Sequence, residues 1–228
     1  MQNSKLMIDF LTVLQKYKYL KIDNDNNVVG KIIFRQDPTD ILCNYDIKIL
    51  IDGYPKEVPK VISMDGKIES DFHTNPDTSL CLEVPLKIRM IYDTNPTLMG
   101  FIENLVNPFL FTHAFYKLNG YFPHGEHRHG DDGTLDYYKA VFRESDVRIL
   151  FSILERISKK GYRGHSPCPC GSLKKFRKCH GKSAFNSNTN LVLYQSIIQS
   201  DFEYIKKAQA TRANIDKMLK DIDFSCIP

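Results

Sequence analysis

The chain lacks the long apolar runs and the leader pattern of membrane-bound or secreted proteins. No apolar stretch in its 228 residues approaches the roughly 18 residues that span a bilayer. Charged and polar side chains interrupt residues 1–20, and no small-residue cleavage site follows them. Neither a Walker A sequence nor a G-x-G-x-x-G is present, which argues against nucleotide chemistry. We therefore expect a cytoplasmic protein with no membrane partner.

Acidic residues are missing from one stretch of the chain. Residues 156–182 hold nine Lys and Arg side chains and no Asp or Glu, out of totals of 31 basic and 27 acidic residues. The rest of the chain therefore carries 22 basic and 27 acidic groups, a net charge of −5. One basic segment argues against a uniformly basic nucleic-acid-coating protein. Hydrophobic residues at 42% and charged residues at 25% are ordinary globular values, which excludes general disorder.

The six cysteines are divided between one dense cluster and isolated positions. Because no secretory signal is present, we expect reduced thiols that act as metal ligands, as a nucleophile or in the core. The predicted ligands of a structural Zn²⁺ are Cys168, Cys170, Cys179 and His180. Cys₃His is a standard structural zinc set, and a segment this short needs a metal to fold. The alternative is an unliganded, flexible basic loop.

This cysteine segment resembles a known zinc-binding element. The order CPCGS, KF and CHG over residues 166–181 is similar to the SEC-C motif, found at the C-terminus of the SecA translocation motor and in many other bacterial proteins. Leu173 departs from that pattern, at a position where a small residue is common. The resemblance implies a zinc site and protein docking. The alternative is that the basic side chains contact the phosphates of a nucleic acid.

Apolar periodicity predicts the elements of an α+β protein. Tyr45, Ile47 and Ile49 alternate with polar residues as in a half-buried antiparallel strand. Residues 65–97 show little periodicity, which is typical of a functional segment. The other expected elements are a helix at 4–20, strands at 28–35, 41–51 and 60–64, a helix from Thr97 to a break or kink at Pro108, helices at 134–142 and from a Ser145 cap to Gly161, a polar linker at 183–190 and a long helix from Leu191.

The order of motifs in the first half resembles the ubiquitin-conjugating (E2) superfamily. A helix, an antiparallel meander, Tyr54-Pro55, the stretch His73-Thr74-Asn75, Cys81 and a helix opened by Asn95-Pro96 follow one another. The resemblance covers residues 1–115. It implies a ubiquitin-conjugating-like meander with flanking helices in a domain of residues 1–160. A SEC-C zinc element at 161–184 and a linker with a C-terminal helix at 185–228 would follow.

The resemblance implies roles for three residues. Cys81 takes the position of the thioester-forming cysteine, Asn75 that of an asparagine that stabilises an oxyanion or braces the loop, and His73 that of a supporting histidine. Thr74 replaces a proline, the interval from Asn75 to Cys81 is short and tryptophan is absent, which indicates a divergent bacterial branch. The alternatives are a buried strand cysteine, a plain turn asparagine, and a histidine that is structural or a papain-like base.

Bacterial ubiquitin-conjugating-like proteins with a SEC-C element resemble those of antiphage (CBASS) operons that encode a cyclic-nucleotide synthase. The resemblance implies that Cys81 forms a thioester with the C-terminus of a cGAS-like nucleotidyltransferase or a ubiquitin-like protein, activated by a separate enzyme. A thiolate is a strong nucleophile and suits this chemistry. Two alternatives stay open: a non-catalytic protein-binding module, and a SecA-associated accessory in export or chaperone function.

A loop rich in possible metal ligands runs from His124 to His129. It is interpreted as a polar connection, as a second metal site or as a contribution to the Cys81 site. Cys43 is expected to pack in the core and Cys226 to be a free thiol near the terminus. The aromatic residues expected in the core, rather than as a base-stacking platform, are Phe109, Phe111, Phe115, Tyr116, Tyr121 and Phe122.

Overall fold

The computed structural model describes residues 2–35, 41–69, 72–123, 130–186 and 189–220. The chain forms two compact units, Met1–Glu126 and His127–Pro228. The sequence-based domain of residues 1–160 differs from this division, because the helices at 130–160 pack with the C-terminal helix in the second unit. Within the described residues, no helix combines the length and the apolar character that crossing a bilayer requires.

An N-terminal helix precedes a four-stranded antiparallel sheet in the first unit. The strand order is β1-β2-β3-β4, so each strand pairs with its neighbour in sequence and the sheet is a meander. Pairs such as Val28 with Ile49 and Ile47 with Ser63 set the register. The elements are α1 (Gln2–Lys16), β1 (Leu20–Ile22), β2 (Val28–Arg35), β3 (Ile41–Leu50), β4 (Lys60–Ser63), α2 (Pro85–Thr94), α3 (Leu98–Phe101) and α4 (Asn107–Asn119).

The sheet and the helices of the first unit enclose one hydrophobic core. Tyr45, Ile47 and Ile49 of β3 are buried, while Lys48 between them is partly exposed. This confirms the predicted alternation, since successive side chains of a strand point to opposite faces. Phe10 of α1 belongs to the same cluster of buried side chains. The expected α+β arrangement, with helices packed on an antiparallel sheet, is therefore present in this unit.

Tyr54 ties the turn after β3 to the helices. Its hydroxyl donates a hydrogen bond to Asp9 of α1 and accepts one from the Leu98 backbone N–H at 3.1 Å. The Tyr92 hydroxyl of α2 donates to the Pro55 carbonyl, also at 3.1 Å. The Tyr54–Pro55 peptide bond is cis. The Tyr-Pro sequence thus connects the sheet with α1, α2 and α3.

The segment between β4 and α3 is more regular than the sequence pattern predicts. The expectation of an irregular stretch over residues 65–97 is wrong for its second half, because α2 (Pro85–Thr94) lies there. Pro85 is in the first turn of α2, where the fixed φ of proline and its missing N–H are tolerated. Leu86 and Tyr92 are the buried side chains of this helix.

The helical rod from Leu98 to Asn119 continues through Pro108. α3 passes into a π-helical turn at Ile102–Val106 and then into α4, which has Pro108 in its first turn. The Asn107 N–H bonds to the Ile102 carbonyl, which is the wide hydrogen bond of a π-helix. The predicted break or kink at Pro108 is therefore replaced by a widened turn just before it.

The second unit packs helices from both ends of its sequence. Its buried side chains include Tyr138, Ile153 and Phe202, one from each of its long helices. The elements are α5 (Gly130–Phe142), α6 (Val147–Lys160), α7 (Gly181–Ala184), the hairpin strands β5 (Phe185–Asn186) and β6 (Thr189–Asn190), and α8 (Gln195–Lys220), with 3₁₀ turns at Phe176–Lys178 and Leu191–Tyr194. The expected long terminal helix is confirmed, whereas the expected polar linker at 183–190 contains part of α7 and the hairpin.

α6 begins one residue later than the sequence predicts. Asp146, and not Ser145, is its N-cap, because the Asp146 carboxylate accepts hydrogen bonds from the Arg148 and Ile149 backbone N–H groups. Gly161 ends the helix as expected, with a φ of +66° that a glycine adopts without a steric penalty. The end of this helix leads directly into the cysteine segment.

Candidate functional site

Sulfur and nitrogen donors converge after α6. Cys168, Cys170, Cys179 and His180 place their ligand atoms within 4.8 Å of one another. The separations are 3.3 Å from Cys168 Sγ to His180 Nδ1, 3.6 Å from Cys170 Sγ to Cys179 Sγ, and 3.5 Å from Cys179 Sγ to His180 Nδ1. These are the four residues that the sequence predicts as metal ligands, and the cluster could hold a metal ion.

Three of the donor separations lie close to the edges of a tetrahedron around one ion. A tetrahedral Zn²⁺, with bonds of about 2.3 Å to sulfur and about 2.0 Å to nitrogen, places two sulfurs about 3.8 Å apart and a sulfur about 3.5 Å from a nitrogen. The observed separations of 3.6 Å, 3.3 Å and 3.5 Å lie close to these values. Because all four donors come from the protein, the arrangement suits a closed structural site rather than one with an open position for a substrate.

Short-range backbone contacts bring the ligands together. The Cys168 N–H donates to the Lys174 carbonyl at 2.8 Å, and the Gly171 N–H donates to the Cys168 carbonyl at 3.3 Å. Gly171 has a φ of +78°, a left-handed conformation that glycine adopts readily. Phe176 is buried against the Tyr162 ring, with 5.4 Å between ring centroids. So small a core indicates that a bound metal would supply much of the folding free energy of this segment.

The cysteines of the cluster differ in acidity. Burial raises the pKa of the Cys168 thiol to about 11. For Cys170, burial is outweighed by hydrogen bonds, foremost with the Ser172 hydroxyl 3.1 Å away, and the pKa of its thiol falls to about 6. Since a metal ligand must be a thiolate, Cys170 is ready to bind a cation at neutral pH before any metal arrives.

A carboxylate from outside the cysteine segment touches the cluster. Glu144 Oε2 lies 3.0 Å from His180 Nε2, the ring nitrogen on the far side from the sulfur atoms. Glu144 Oε1 accepts a hydrogen bond from the Asp146 N–H at 2.8 Å. Sequence reasoning missed Glu144, because it lies between α5 and α6 and only tertiary packing brings it to His180.

The surface around the cluster is basic. Lys174, Lys175 and Lys178 are exposed, and no carboxylate in the described part of the chain pairs with them. Leu173 is 93% exposed and has a φ of +59°. The Arg156 guanidinium donates to the Pro167 carbonyl, which fastens the segment to α6. The excess positive charge of the chain therefore lies on the surface of a folded element.

The second candidate site is the segment around Cys81. Thr74 and Leu80 form an antiparallel bridge, so the chain folds back on itself in a small hairpin. The Cys81 N–H donates to the His73 carbonyl at 2.6 Å. The backbone thus brings two of the predicted site residues side by side.

The Cys81 thiol is half-buried beside a carboxylate. Burial raises the pKa of this thiol, and the charge of Glu83 raises it further. Cys81 Sγ also lies 4.0 Å from the Glu83 carbonyl oxygen. This environment favours the protonated thiol over the thiolate, which is the nucleophilic form.

Asn75 and His73 take part in shaping this hairpin. The Asn75 N–H donates to the Ser79 carbonyl at 2.8 Å, and its side-chain amide donates to Ser79 Oγ at 3.0 Å. His73 has a φ of +43°, and its ring packs against Phe72 and Phe109 with centroid distances of 4.8 Å and 5.9 Å. The structure places His73 opposite Cys81 and Asn75 opposite Ser79 in the hairpin, with the Asn75 amide bonded within its own turn.

A polar network of the buried Tyr45 and His113 with the exposed Glu69 lies next to the hairpin. The Tyr45 hydroxyl is 2.6 Å from His113 Nδ1, and His113 Nε2 is 3.4 Å from Glu69 Oε2. Burial lowers the pKa of His113. Because the Glu69 carboxylate only accepts hydrogen bonds, it favours the tautomer with its proton on Nε2, which leaves Nδ1 to accept from the Tyr45 hydroxyl. Phe72 packs edge-on against His113, with 4.7 Å between centroids. The network therefore fixes the residue that precedes His73 to β3 and α4.

The remaining candidate residues lie outside the two candidate sites. Cys43 is half-buried and packs against the core, as predicted. The loop at 124–129 and Cys226 lie outside the described residues. Phe109 is buried, but the prediction of core positions is wrong for Phe111 and Tyr121, which are exposed on α4 and beyond its end. Contrary to the prediction, these two rings do not belong to the core.

Comparison with known proteins agrees with one of the two candidate sites. The family model of the SEC-C motif matches residues 166–182, which contain all four donors of the cluster. No curated protein and no solved structure matches the chain. Over this segment the chain is thus similar to proteins that carry the SEC-C motif, a zinc-binding type.

Proposed function

We propose that this chain is a cytoplasmic ubiquitin-conjugating-like transferase with a zinc-stabilised docking element. Cys81 accepts an activated acyl group as a thioester and passes it to an amine, while Zn²⁺ at the cysteine cluster has a structural role. The observation that carries the proposal is the order within the first unit: an antiparallel meander, a Tyr-Pro turn bonded to the helices, and Cys81 paired with His73 in a hairpin.

The proposed reaction needs one nucleophile from this chain. The Cys81 thiol loses its proton to solvent, and the thiolate attacks the acyl carbon of a donor held on a separate activating enzyme. The bond from that carbon to the donor's leaving group breaks, and the leaving group departs with the electron pair. An amine then attacks the thioester, loses its proton and expels the Cys81 thiolate. Because the chain has neither a Walker A sequence nor a G-x-G-x-x-G, the ATP-dependent activation is assigned to that other enzyme.

The surroundings of Cys81 suit an acyl carrier better than a free nucleophile. A thiolate of higher pKa is a poorer leaving group, so the raised pKa of Cys81 favours a thioester that persists until an amine arrives. The Cys81 N–H is already bonded to His73, and the Asn75 amide is bonded to Ser79. We therefore assign stabilisation of the oxyanion to groups that arrive with the partner.

The proposed partners are proteins. The resemblance to antiphage systems favours the C-terminus of a cGAS-like nucleotidyltransferase as the acyl donor, with a ubiquitin-like protein as the other choice. We assign the basic surface around Lys174, Lys175 and Lys178 to docking of an acidic protein. Its charges would be presented at fixed positions by the metal-bound element.

Trapping of the covalent adduct tests the proposal. The zinc-loaded chain is incubated with ATP, a candidate activating enzyme and a nucleotidyltransferase, and the products are separated with and without excess thiol. We expect a thiol-sensitive adduct from the wild type and none from Cys81→Ala. Cys81→Ser should give an adduct that survives thiol, because an oxyester replaces the thioester.

The matched control is Cys43→Ser, which alters another half-buried cysteine of the same unit. It should form the adduct at the wild-type yield. The same thiol-sensitive adduct from Cys81→Ala would show that the nucleophile lies elsewhere.

A non-catalytic protein-binding module is the second candidate function. The observation in its favour is the raised pKa of Cys81, since activated cysteines have lowered values. On this alternative the wild type binds its partners but forms no adduct with any donor. Cys81→Ala would then bind with unchanged affinity.

A further inference from the structure

The metal cluster touches a residue that lies outside the matched motif. The SEC-C match begins at residue 166, whereas Glu144 precedes α6. The Glu144 carboxylate nevertheless lies 3.0 Å from His180 Nε2. On the other side of the ring, His180 Nδ1 is 3.3 Å from Cys168 Sγ and 3.5 Å from Cys179 Sγ. The imidazole thus lies between a carboxylate and the sulfur donors, with one nitrogen toward each.

This arrangement selects one tautomer of His180. A carboxylate only accepts hydrogen bonds, so Glu144 favours the form with its proton on Nε2. Nδ1 then keeps its lone pair and faces the sulfur atoms, as a metal ligand must. The side chains of Glu144 and His180 are 14% and 17% exposed, so water competes weakly for this bond.

The backbone around Glu144 holds the carboxylate in place. Arg143 adopts a φ of +52° although it is not glycine, and the Glu144 N–H bonds back to the Lys139 carbonyl at 3.0 Å. This left-handed residue ends α5 at a conformational cost and directs the chain toward α6. The Asp146 N–H occupies Glu144 Oε1 at 2.8 Å, which leaves Oε2 for His180.

We propose that Glu144 is a positioning residue of the metal site. It sets the tautomer and the orientation of His180, and it joins the cysteine segment to the turn between α5 and α6. Metal affinity therefore depends on a residue of the turn between α5 and α6, and metal binding stabilises that turn in return, because linkage is reciprocal. The inference rests on the metal-binding part of the proposed function and is independent of the chemistry at Cys81.

The metal affinity of the full chain tests this role. Zn²⁺ binding is measured by competition with a chromophoric chelator, and the visible bands of bound Co²⁺ report a tetrahedral ligand set. Loss of the outer partner of a ligating histidine weakens metal binding about 10- to 100-fold, and we expect Glu144→Ala in this range. Glu144→Gln should lose less, because its amide oxygen still accepts from Nε2. The tetrahedral Co²⁺ bands should persist, because no ligand is removed.

Glu155→Gln is the matched control. It alters an exposed α6 carboxylate that pairs with Lys159, and the metal affinity should stay unchanged. Thermal unfolding of the metal-free variants separates positioning from general support of the fold. If Glu144→Ala lowers the metal-free Tm but binds Zn²⁺ with wild-type affinity, the proposal is overturned.

Two further outcomes have defined meanings. If Glu144→Ala does not fold, Glu144→Leu takes its place, because it keeps most of the side-chain volume and removes the acceptor for His180 Nε2. If the wild type itself binds neither Zn²⁺ nor Co²⁺, the metal part of the proposed function fails and this inference fails with it, a result distinct from a loss confined to the variants.

Discussion

At the scale of single residues, the same side chain has opposite chemistry in the two candidate sites. Hydrogen bonding with Ser172, working against burial, lowers the pKa of Cys170 to about 6, whereas burial and Glu83 raise the pKa of Cys81. The first thiol is ready to bind a cation, and the second stays protonated at neutral pH. The spacing of the cysteines predicted the metal ligands, but only the fold reveals this difference in acidity, because burial is a tertiary property.

The pH dependence of Cys81 alkylation follows from its environment. Only the thiolate reacts, so we expect the rate with iodoacetamide to rise with pH toward a midpoint above the ordinary 9.0. Glu83→Gln should lower the midpoint, because it removes a neighbouring negative charge. Mass spectrometry of the zinc-loaded chain gives the rate at each cysteine, with half-buried Cys43 as the internal reference. A midpoint below about pH 8 would contradict the assigned environment.

At the scale of elements, the sequence pattern predicted those helices and strands whose bounds depend on interactions between near neighbours in the chain. The strand at Val28–Arg35 and the end of α6 at Gly161 are confirmed because alternation and a glycine stop act between near neighbours. α2 was missed because residues 65–97 show little apolar periodicity, although Pro85 stands in the first turn of α2, where a proline is tolerated. The four metal ligands fall in one short segment and were therefore predictable. Glu144 was not, since its contact with His180 depends on how α5 and α6 pack.

The packing of α8 on α5 includes a buried acid that titrates near neutrality. Asp201 is 4% exposed and accepts a hydrogen bond from the Tyr138 hydroxyl at 2.8 Å. Burial raises the pKa of this carboxyl from 3.8 to about 6. Because the folded pKa is the higher one, the stability from this group is complete below about pH 3.8 and is lost as the pH rises through about 6.

Asp201→Asn should therefore stabilise the second unit more at high pH than at low pH. At about pH 8 we expect a gain of about 1–3 kcal/mol in the free energy of unfolding, since two pKa units correspond to about 2.7 kcal/mol and the amide still accepts from Tyr138. The gain should shrink at about pH 5. Denaturant unfolding of the zinc-saturated chain measures it, with exposed Glu203→Gln on the same helix as the control. An equal gain at both pH values would show that charge burial is not its cause.

At the scale of the whole molecule, the cation-rich surface and the proposed nucleophile belong to different compact units. Three thiolates and one Zn²⁺ add a net −1, so the nine basic groups of residues 156–182 leave +8 there, and the formal +4 of the chain becomes +3. Metal binding thus keeps nearly all of the positive charge. We expect metal binding to fix the conformation of the backbone that carries this charge.

Metal removal should act on the second unit. All four donors and Glu144 lie within it, and zinc binding contributes several kcal/mol or more to the folding of small sites. We expect a chelator to abolish amide hydrogen-exchange protection at residues 166–182 and to weaken it at the end of α6, while the pairing of β2 with β3 stays protected. Cys179→Ser should resemble the chelated wild type and respond no further to chelator. Equal protection of residues 166–182 with and without metal would contradict a structural metal.

The π-helical turn at Ile102–Val106 reconciles a four-residue repeat with an α-helical rod. The buried pairs along the rod are Phe101–Ile102, Leu105–Val106, Phe109–Leu110 and His113–Ala114. An α-helix turns by about 100° per residue, so residues four apart point in directions that differ by about 40°. Over several such steps the buried pairs would rotate away from the core. The one extra residue of a π turn cancels about 100° of this rotation. If this turn closed to a plain α-helix without loss of a residue, His113 would rotate by about 100° away from Tyr45. The wide hydrogen bond from the Asn107 N–H to the Ile102 carbonyl is therefore what turns His113 toward β3.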